Sequence, residues 1–353
     1  MERARRKQFP SLQVMCRSIT NRVVALASLC SMTALAAAPA RAQSTGRGQR
    51  AEVWAFTGPW DPSSTSAVRA YGSGLDAVVT GWIGLDSMTA RPIEPVLYPD
   101  TVRPRRGTLR RMAIVTSWHG DRFHPQTIRS LAGDPARLAQ TAGLIARHAA
   151  AKGYRGLVLD FEALTPADTG ALALVVRTIA DSAHRLGVRP VAVAIPATDT
   201  AAYPIRMLLG VADLVAPMLY DQHWAGSAPG PIADPLWARQ VLARRIAEAG
   251  SPARIVAALP AYGYRWWPES KRPTDHISYR EAQRIAAEAR VPLVRDPVTR
   301  TLRAVRPGEW ELWVADADLM RTLVRDARAA GVRRFAVWRM GQEDSAVWRS
   351  VFQ

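Results

Sequence analysis

The sequence predicts an α/β fold, a (β/α)8 TIM barrel with a small α+β insertion after its seventh strand. Three observations carry that prediction. From residue 51 onward, short β-rich runs alternate with amphipathic helical ones, the pattern of a parallel sheet built from βαβ units. Eight strand-like runs occur, most of them followed by a helix, in a chain of 353 residues, which suits one barrel of this kind. The stretch Tyr264–Trp313 is too long for a plain loop and holds its own helical pattern at Ser278–Ala289, so about 264–313 reads as the insertion.

Taken in order, Glu52–Phe56 is the first strand candidate, and Asp61-Pro62-Ser63-Ser64 after it is a helix start. Leu75–Leu85 and Met112–Trp118 are the second and third strands. A helix over about Pro135–Ala151 leads into the fourth, Gly156–Glu162, whose apolar run reads as a strand buried on both faces. Leu172, Val175, Val176, Ile179, Ala183 and Leu186 then recur at helical spacing and make one apolar stripe. Val191–Ile195, Leu214–Tyr220 and Ile255–Pro260 are strands five to seven. A last helix near Asp316–Ala330 precedes strand eight, Phe335–Met340.

Residues 1–42 stand apart from this pattern. Arg17 and Arg22 precede the apolar run Val23 to Ala38, which ends in Ala40-Arg41-Ala42. A positive region, an apolar core and an A-x-A site describe a secretory signal peptide cleaved after Ala42, with Met15 as an alternative start. The run is too short to favour a membrane span. The expectation is a secreted or periplasmic protein, residues 43–353, with no membrane association after cleavage. Both cysteines, Cys16 and Cys30, fall in the removed segment, so the mature chain would fold on its core alone. That segment also takes seven of the 47 basic residues and one of the 30 acids, leaving a net charge of +11. Such a surface favours polyanions, although the arginine excess equally suits base composition. Without basic clusters interleaved with aromatics, nucleic acid is not an expected partner.

In a barrel of this kind the chemistry sits at the carboxyl ends of the strands. Strand four ends in Asp160 and Glu162. On a strand these share one face while Phe161 takes the other, and two adjacent buried carboxyls raise each other's pKa. The alternative is a helix-capping acid, because Thr165-Pro166-Ala167-Asp168 starts a helix. Strand six ends in Met218-Leu219-Tyr220-Asp221, strand seven in Pro260-Ala261-Tyr262-Gly263, and strand eight carries Trp338. Twelve tryptophans against six phenylalanines is an unusual ratio; Trp60, Trp82, Trp118, Trp224, Trp266 and Trp267 fall at or near predicted strand ends. Flat indoles there suit the C–H faces of sugars or pack the rim. The six histidines show no metal-ligand spacing and no glycine-rich phosphate loop follows a strand, so neither metal nor cofactor is expected.

Four motifs, each on its predicted strand, together resemble glycoside hydrolase family 18, the chitinase-like family. They are Leu159-Asp160-Phe161-Glu162, Met218-Leu219-Tyr220-Asp221-Gln222-His223-Trp224, Leu259-Pro260-Ala261-Tyr262-Gly263-Tyr264 and Ala336-Val337-Trp338-Arg339-Met340-Gly341-Gln342-Glu343-Asp344. With Ser227-Ala228-Pro229-Gly230-Pro231, they resemble its bacterial branch of spore-cortex and other cell-wall N-acetylglucosaminidases. The likeness spans about Glu52 to Trp348.

The resemblance implies a retaining, substrate-assisted mechanism, an exception to the usual two-carboxylate scheme. Glu162 would be the acid and then the base, and the substrate's 2-acetamido oxygen the nucleophile. Asp160 would hydrogen-bond the acetamido N–H and stabilise its positive charge, while Tyr220 would hold the group in place. Asp221 would contact the same sugar, Trp338 would floor the cleavage point, and Tyr262, Trp82 and Trp224 would add to substrate binding. The family's fuller pattern has acids where this chain has Arg155 and Val158. The expected substrate is a β-1,4-linked N-acetylglucosamine polymer of peptidoglycan or chitin type, cleaved by a monomer. A lectin-like protein on the same barrel and an endo-acting enzyme on glycoprotein glycans are the alternatives.

Overall fold

A computed structural model describes residues 50–93 and 109–352; the expected signal segment, with Met15 and both cysteines, lies outside the described residues. Eight strands form the barrel: β1 (Glu52–Phe56), β2 (Ala77–Leu85), β3 (Arg110–Thr116), β4 (Leu157–Asp160), β5 (Val191–Pro196), β6 (Leu214–Met218), β7 (Val256–Pro260) and β8 (Arg334–Trp338). Each pairs in parallel with the next, and β8 pairs with β1 to close the ring. This is the predicted fold class. Among the described residues no helix is long and apolar enough to cross a membrane.

The alternation along each strand sorts side chains between two cores. On β4, Leu157 and Leu159 face outward and pack in one cluster with Val175 and Ile179 of the helix Thr169–Arg185. Val158 faces inward beside Trp54, Met112, Leu214, Val256 and Ala336, which fill the barrel interior. The same alternation continued one residue further sends Asp160 inward as well. On the sixth and seventh elements it sends Met218 and Tyr220, then Ala258 and Tyr262, to that interior.

Helix starts are written in the sequence as an aspartate followed by proline. Asp61, Asp134 and Asp234 each accept a backbone N–H of the first turn, from Ser63 at 2.9 Å, Arg137 at 3.0 Å and Trp237 at 2.9 Å. Pro62, Pro135 and Pro235 occupy the first helical position, where no N–H is needed.

The inserted segment folds as a five-stranded antiparallel sheet in the order Asp275–Ile277, Gly263–Trp266, Trp310–Val314, Leu302–Arg306, Val294–Arg295. The helix Tyr279–Ala289, opened by a Ser278/Glu281 capping box, lays Ala282, Ile285 and Ala286 on Leu312 and Val314. Gly263 at the junction has no room for a side chain, because a Cβ there would collide with the Trp313 carbonyl.

Strands β3, β4, β6 and β8 end two residues earlier than the sequence suggests, at Thr116, Asp160, Met218 and Trp338. For β4 and β6 the left-handed turn follows closely. Ala163 and Asp221 adopt left-handed backbone with φ of 61° and 59°, so the chain leaves the sheet just as the functional side chains arrive.

Candidate active site

Asp160 and Glu162 sit at the mouth of the barrel interior, both buried, at 5% and 4% exposure. In-register pairing puts Asp160 beside Thr116, whose hydroxyl donates to Asp160 Oδ2 at 3.3 Å. Asp160 Oδ1 and Glu162 Oε1 are buried without a hydrogen-bond partner among the described residues, and a hydrogen bond between the two carboxyls needs a proton on one of them. Burial pushes Asp160 up to about 6, against the opposing hydrogen bonds from Glu162 and Thr116. Burial, then the Asp160 charge and hydrogen bond, then the Asp221 charge, hold Glu162 well above the ordinary glutamate range. The pair therefore carries a proton near neutrality, and Glu162 is the partner that keeps it longer.

Glu162 is not the helix cap. Thr165 and Asp168 perform that function: Asp168 Oδ2 accepts from the Thr165 backbone N–H and hydroxyl, each at 2.8 Å. Arg129 clamps the same carboxylate at 2.6 and 2.8 Å. The loop between the strand and this cap is fixed by Tyr203, whose hydroxyl donates to the Phe161 carbonyl at 3.0 Å and accepts from Leu164 N–H at 3.2 Å. Glu162 thus has a rigid backbone on both sides.

Asp221 accepts hydrogen bonds from Tyr262 at 2.5 Å and Tyr264 at 3.2 Å. Burial outweighs both and lifts its pKa to about 7. Tyr220 lies edge-on to Tyr262, with ring centroids 6.1 Å apart. Burial and the nearby carboxylates raise its pKa well above the usual range, so it remains a neutral phenol. Trp338 is half-buried at the same mouth, 5.3 Å from Phe56, and the following residue Arg339 donates to Asp61 at 2.5 Å and to Ser64 at 3.3 Å. Trp82 and Trp224 pack against the interior cluster and stay half-buried. Trp82 lies within β2, edge-on to Trp60 at 4.9 Å. Trp224 is seated on Gly226, where any Cβ would collide with the indole, and its carbonyl accepts from Trp266 Nε1 at 3.0 Å.

No family model matches the chain. The cortical fragment-lytic enzyme of Bacillus subtilis is 23% identical over 252 residues, 67% of this chain and 58% of that protein. The spore cortex-lytic enzyme SleL of Bacillus cereus superposes with a TM-score of 0.73 at 20% identity, covering 86% of this chain and 74% of that one. A chitinase from Chromobacterium violaceum gives 0.72 at 20% identity over 85% of this chain and 98% of that one. The chain shares the (β/α)8 barrel fold of these structures. It spans 38% to 60% of the length of the curated relatives it matches.

The two positions where this chain departs from the pattern it resembles have clear settings. Val158 is fully buried in the barrel interior, on the same face as Asp160 and one step deeper. A valine there gives Asp160 no acid partner below, so its hydrogen bonds come from Thr116 and Glu162. Arg155 precedes the strand and its backbone N–H donates to the Arg111 carbonyl at 2.6 Å, at the opposite end from the acids.

Thr116, Tyr203, Tyr264 and His276 belong to the site without having been assigned a role from sequence. Thr116 lies near the end of the predicted third strand and Tyr264 closes a quoted motif, so position could have marked them. Tyr203 and His276 reach the site from a loop and from the inserted sheet, with no local signal.

The raised pKa of Asp221 has a consequence for stability. Its folded value of about 7 lies above the ordinary 3.8, so between those values the folded state binds the extra proton. Stability from this group is present below pH 4 and falls as pH rises toward 7. Asp221→Asn does not titrate. Urea midpoints are expected to favour Asp221→Asn over wild type by ~1–3 kcal/mol more at pH 8 than at pH 4. Parallel pH dependence of the two proteins would exclude this.

Proposed function

We propose that the protein is a secreted glycoside hydrolase that cleaves β-1,4-linked N-acetylglucosamine polymers with retention, peptidoglycan more than chitin. The single observation that carries the reading is the coupled, buried Asp160–Glu162 pair, facing a barrel mouth lined by Tyr220, Asp221, Tyr262 and Trp338. Export follows from the signal-like segment at 1–42, and the preference for peptidoglycan from the cell-wall branch likeness and the +11 charge of residues 43–353. The cortex-lytic and chitinase names among similar proteins support the same class.

In this reading the protonated Glu162 donates to the glycosidic oxygen while the bond to the anomeric carbon breaks. The substrate's acetamido oxygen attacks that carbon from the opposite face. Asp160 accepts the acetamido N–H and offsets the charge developing on the resulting oxazolinium, and the neutral Tyr220 hydroxyl holds the acetamido group in line. Glu162, now ionised, takes a proton from the incoming water, which reopens the ring and restores the acid. A low-polarity pocket strengthens each of these contacts. Trp338 presents an indole to the sugar face at the cleavage point.

The direct test is release of reducing ends from purified peptidoglycan and from chitin, side by side, with product masses read in the same samples. Appearance of reducing ends with N-acetylglucosamine at the cut site supports the proposal; polymer binding without any release over long incubation would replace it by a lectin-like function. The kcat–pH profile is expected to be bell-shaped. Activity should rise through a limb near pH 6, as Asp160 ionises, and fall at higher pH, as Glu162 loses its proton. A profile flat from pH 4 to 9 would contradict the two-carboxyl mechanism.

A further inference from the structure

Tyr262 is the strongest hydrogen-bond donor to Asp221, at 2.5 Å, and everything that fixes its ring fixes that carboxyl. Tyr220 and Tyr264 meet the ring edge-on, at 6.1 and 5.5 Å. The one face-on contact comes from His276, whose imidazole lies 4.7 Å away and tilted by only 16°. His276 belongs to the inserted strand Asp275–Ile277 and pairs with Tyr264 across the sheet. Its Nδ1 lies 3.3 Å from the Gln342 amide, in the loop that follows Trp338, and Gln342 also takes the Tyr279 backbone N–H at 2.8 Å. The imidazole is therefore held from two directions: by the inserted sheet through its backbone and by the β8 loop through its ring nitrogen.

We infer that His276 is a positioning residue, whose stacked ring fixes the Tyr262 phenol and through it orients Asp221 beside Glu162. The role deepens the glycosidase reading proposed above and rests on it for its effect on turnover. A rotation of Tyr262 about its Cα–Cβ bond would carry its hydroxyl away from Asp221, leaving the longer Tyr264 bond alone. The face-on ring is what obstructs that rotation on the side of the insertion. Burial, with Arg339 nearby, keeps the imidazole neutral, its pKa down at about 3, so it brings no charge to a site already holding three carboxyls. The insertion is thus a structural part of the acid cluster and not an appendage to the barrel.

Stacking needs a flat ring, which separates the proposal from a volume effect. His276→Leu, similar in bulk but not planar, is expected to lower kcat for reducing-end release by about ten- to hundredfold, with KM within about twofold and little change in melting temperature. His276→Phe restores a flat ring and is expected to recover most of kcat. Equal kcat for His276→Leu and wild type, or equal loss in both variants, would overturn the inference. A readout independent of turnover is NMR of tyrosine labelled with carbon-13 at the ring, the Tyr262 signal being identified by its loss in Tyr262→Phe. That signal should shift or broaden in His276→Leu and stay near its wild-type position in His276→Phe. An inactive wild type with this tyrosine pattern would reject the glycosidase reading and keep the positioning role; an active wild type without the pattern would do the reverse.

Discussion

Glu162→Gln is expected to lower kcat for N-acetylglucosamine polymers by about 10²–10⁴-fold while leaving polymer binding intact. The substitution keeps shape and burial but removes the transferable proton. Glu162 is 4% exposed and held between the strand end and the Tyr203-anchored loop, so water cannot readily take its place as donor. The loss corresponds to about 3–5 kcal/mol of transition-state stabilisation. It should appear in kcat and kcat/KM alike, because the proton moves only in the transition state. Unchanged turnover in Glu162→Gln would end the proposed mechanism; loss of binding along with turnover would point instead to a collapsed site, which a melting curve would reveal.

Asp160→Asn is expected to be the second largest defect, a fall in kcat of about 10²–10³-fold. The amide can still accept from Thr116, now at 3.3 Å, but it supplies no negative charge for a cationic intermediate. Because β4 offers Val158 below, no neighbouring acid on that strand can substitute. The same variant should lose the limb of the pH profile near pH 6 and shift the basic limb downward, since the negative charge of Asp160 helps hold the proton on Glu162. A variant that retained the acid limb would assign that limb to another group.

The two predictions isolate what one buried pair does. A single glutamate in the same pocket would be protonated by burial but would lack a charge to steady the intermediate. A single aspartate would supply the charge and lack the donor. Their coupling places one proton between two carboxyls, and the neutral phenols of Tyr220 and Tyr262 beside them add no competing charge, while Tyr262 and Tyr264 donate to Asp221.

Much of the barrel was legible in the residues because its rules are local. Short two-sided apolar runs such as Leu157–Val158–Leu159, bounded by turn residues, read as buried parallel strands, and Asp-Pro pairs mark where helices begin. Period-two alternation also puts Asp160 and Glu162 on one face and Phe161 on the other. The predicted strands extend two residues past the observed strand ends, to Trp118, Glu162, Tyr220 and Met340. The left-handed turns that end β4 and β6 fall on Ala163 and Asp221, residues whose identity does not announce such a turn.

By itself, then, the sequence determined the parallel barrel, the inserted unit at about 264–313, and the cluster of acids and aromatics at strand ends. These depend on periodicity and on side-chain chemistry, both carried by near neighbours in the chain. Only the tertiary structure decided which groups surround each acid: Thr116 on Asp160, Tyr203 under the Glu162 loop, Tyr262 and Tyr264 on Asp221, His276 against Tyr262. Those partners come from separate strands, a loop and the inserted sheet, 14 to 44 residues away along the chain. Burial and hydrogen bonding set the proton affinities of the site, and both arise when closure of the ring brings distant strand ends to one mouth.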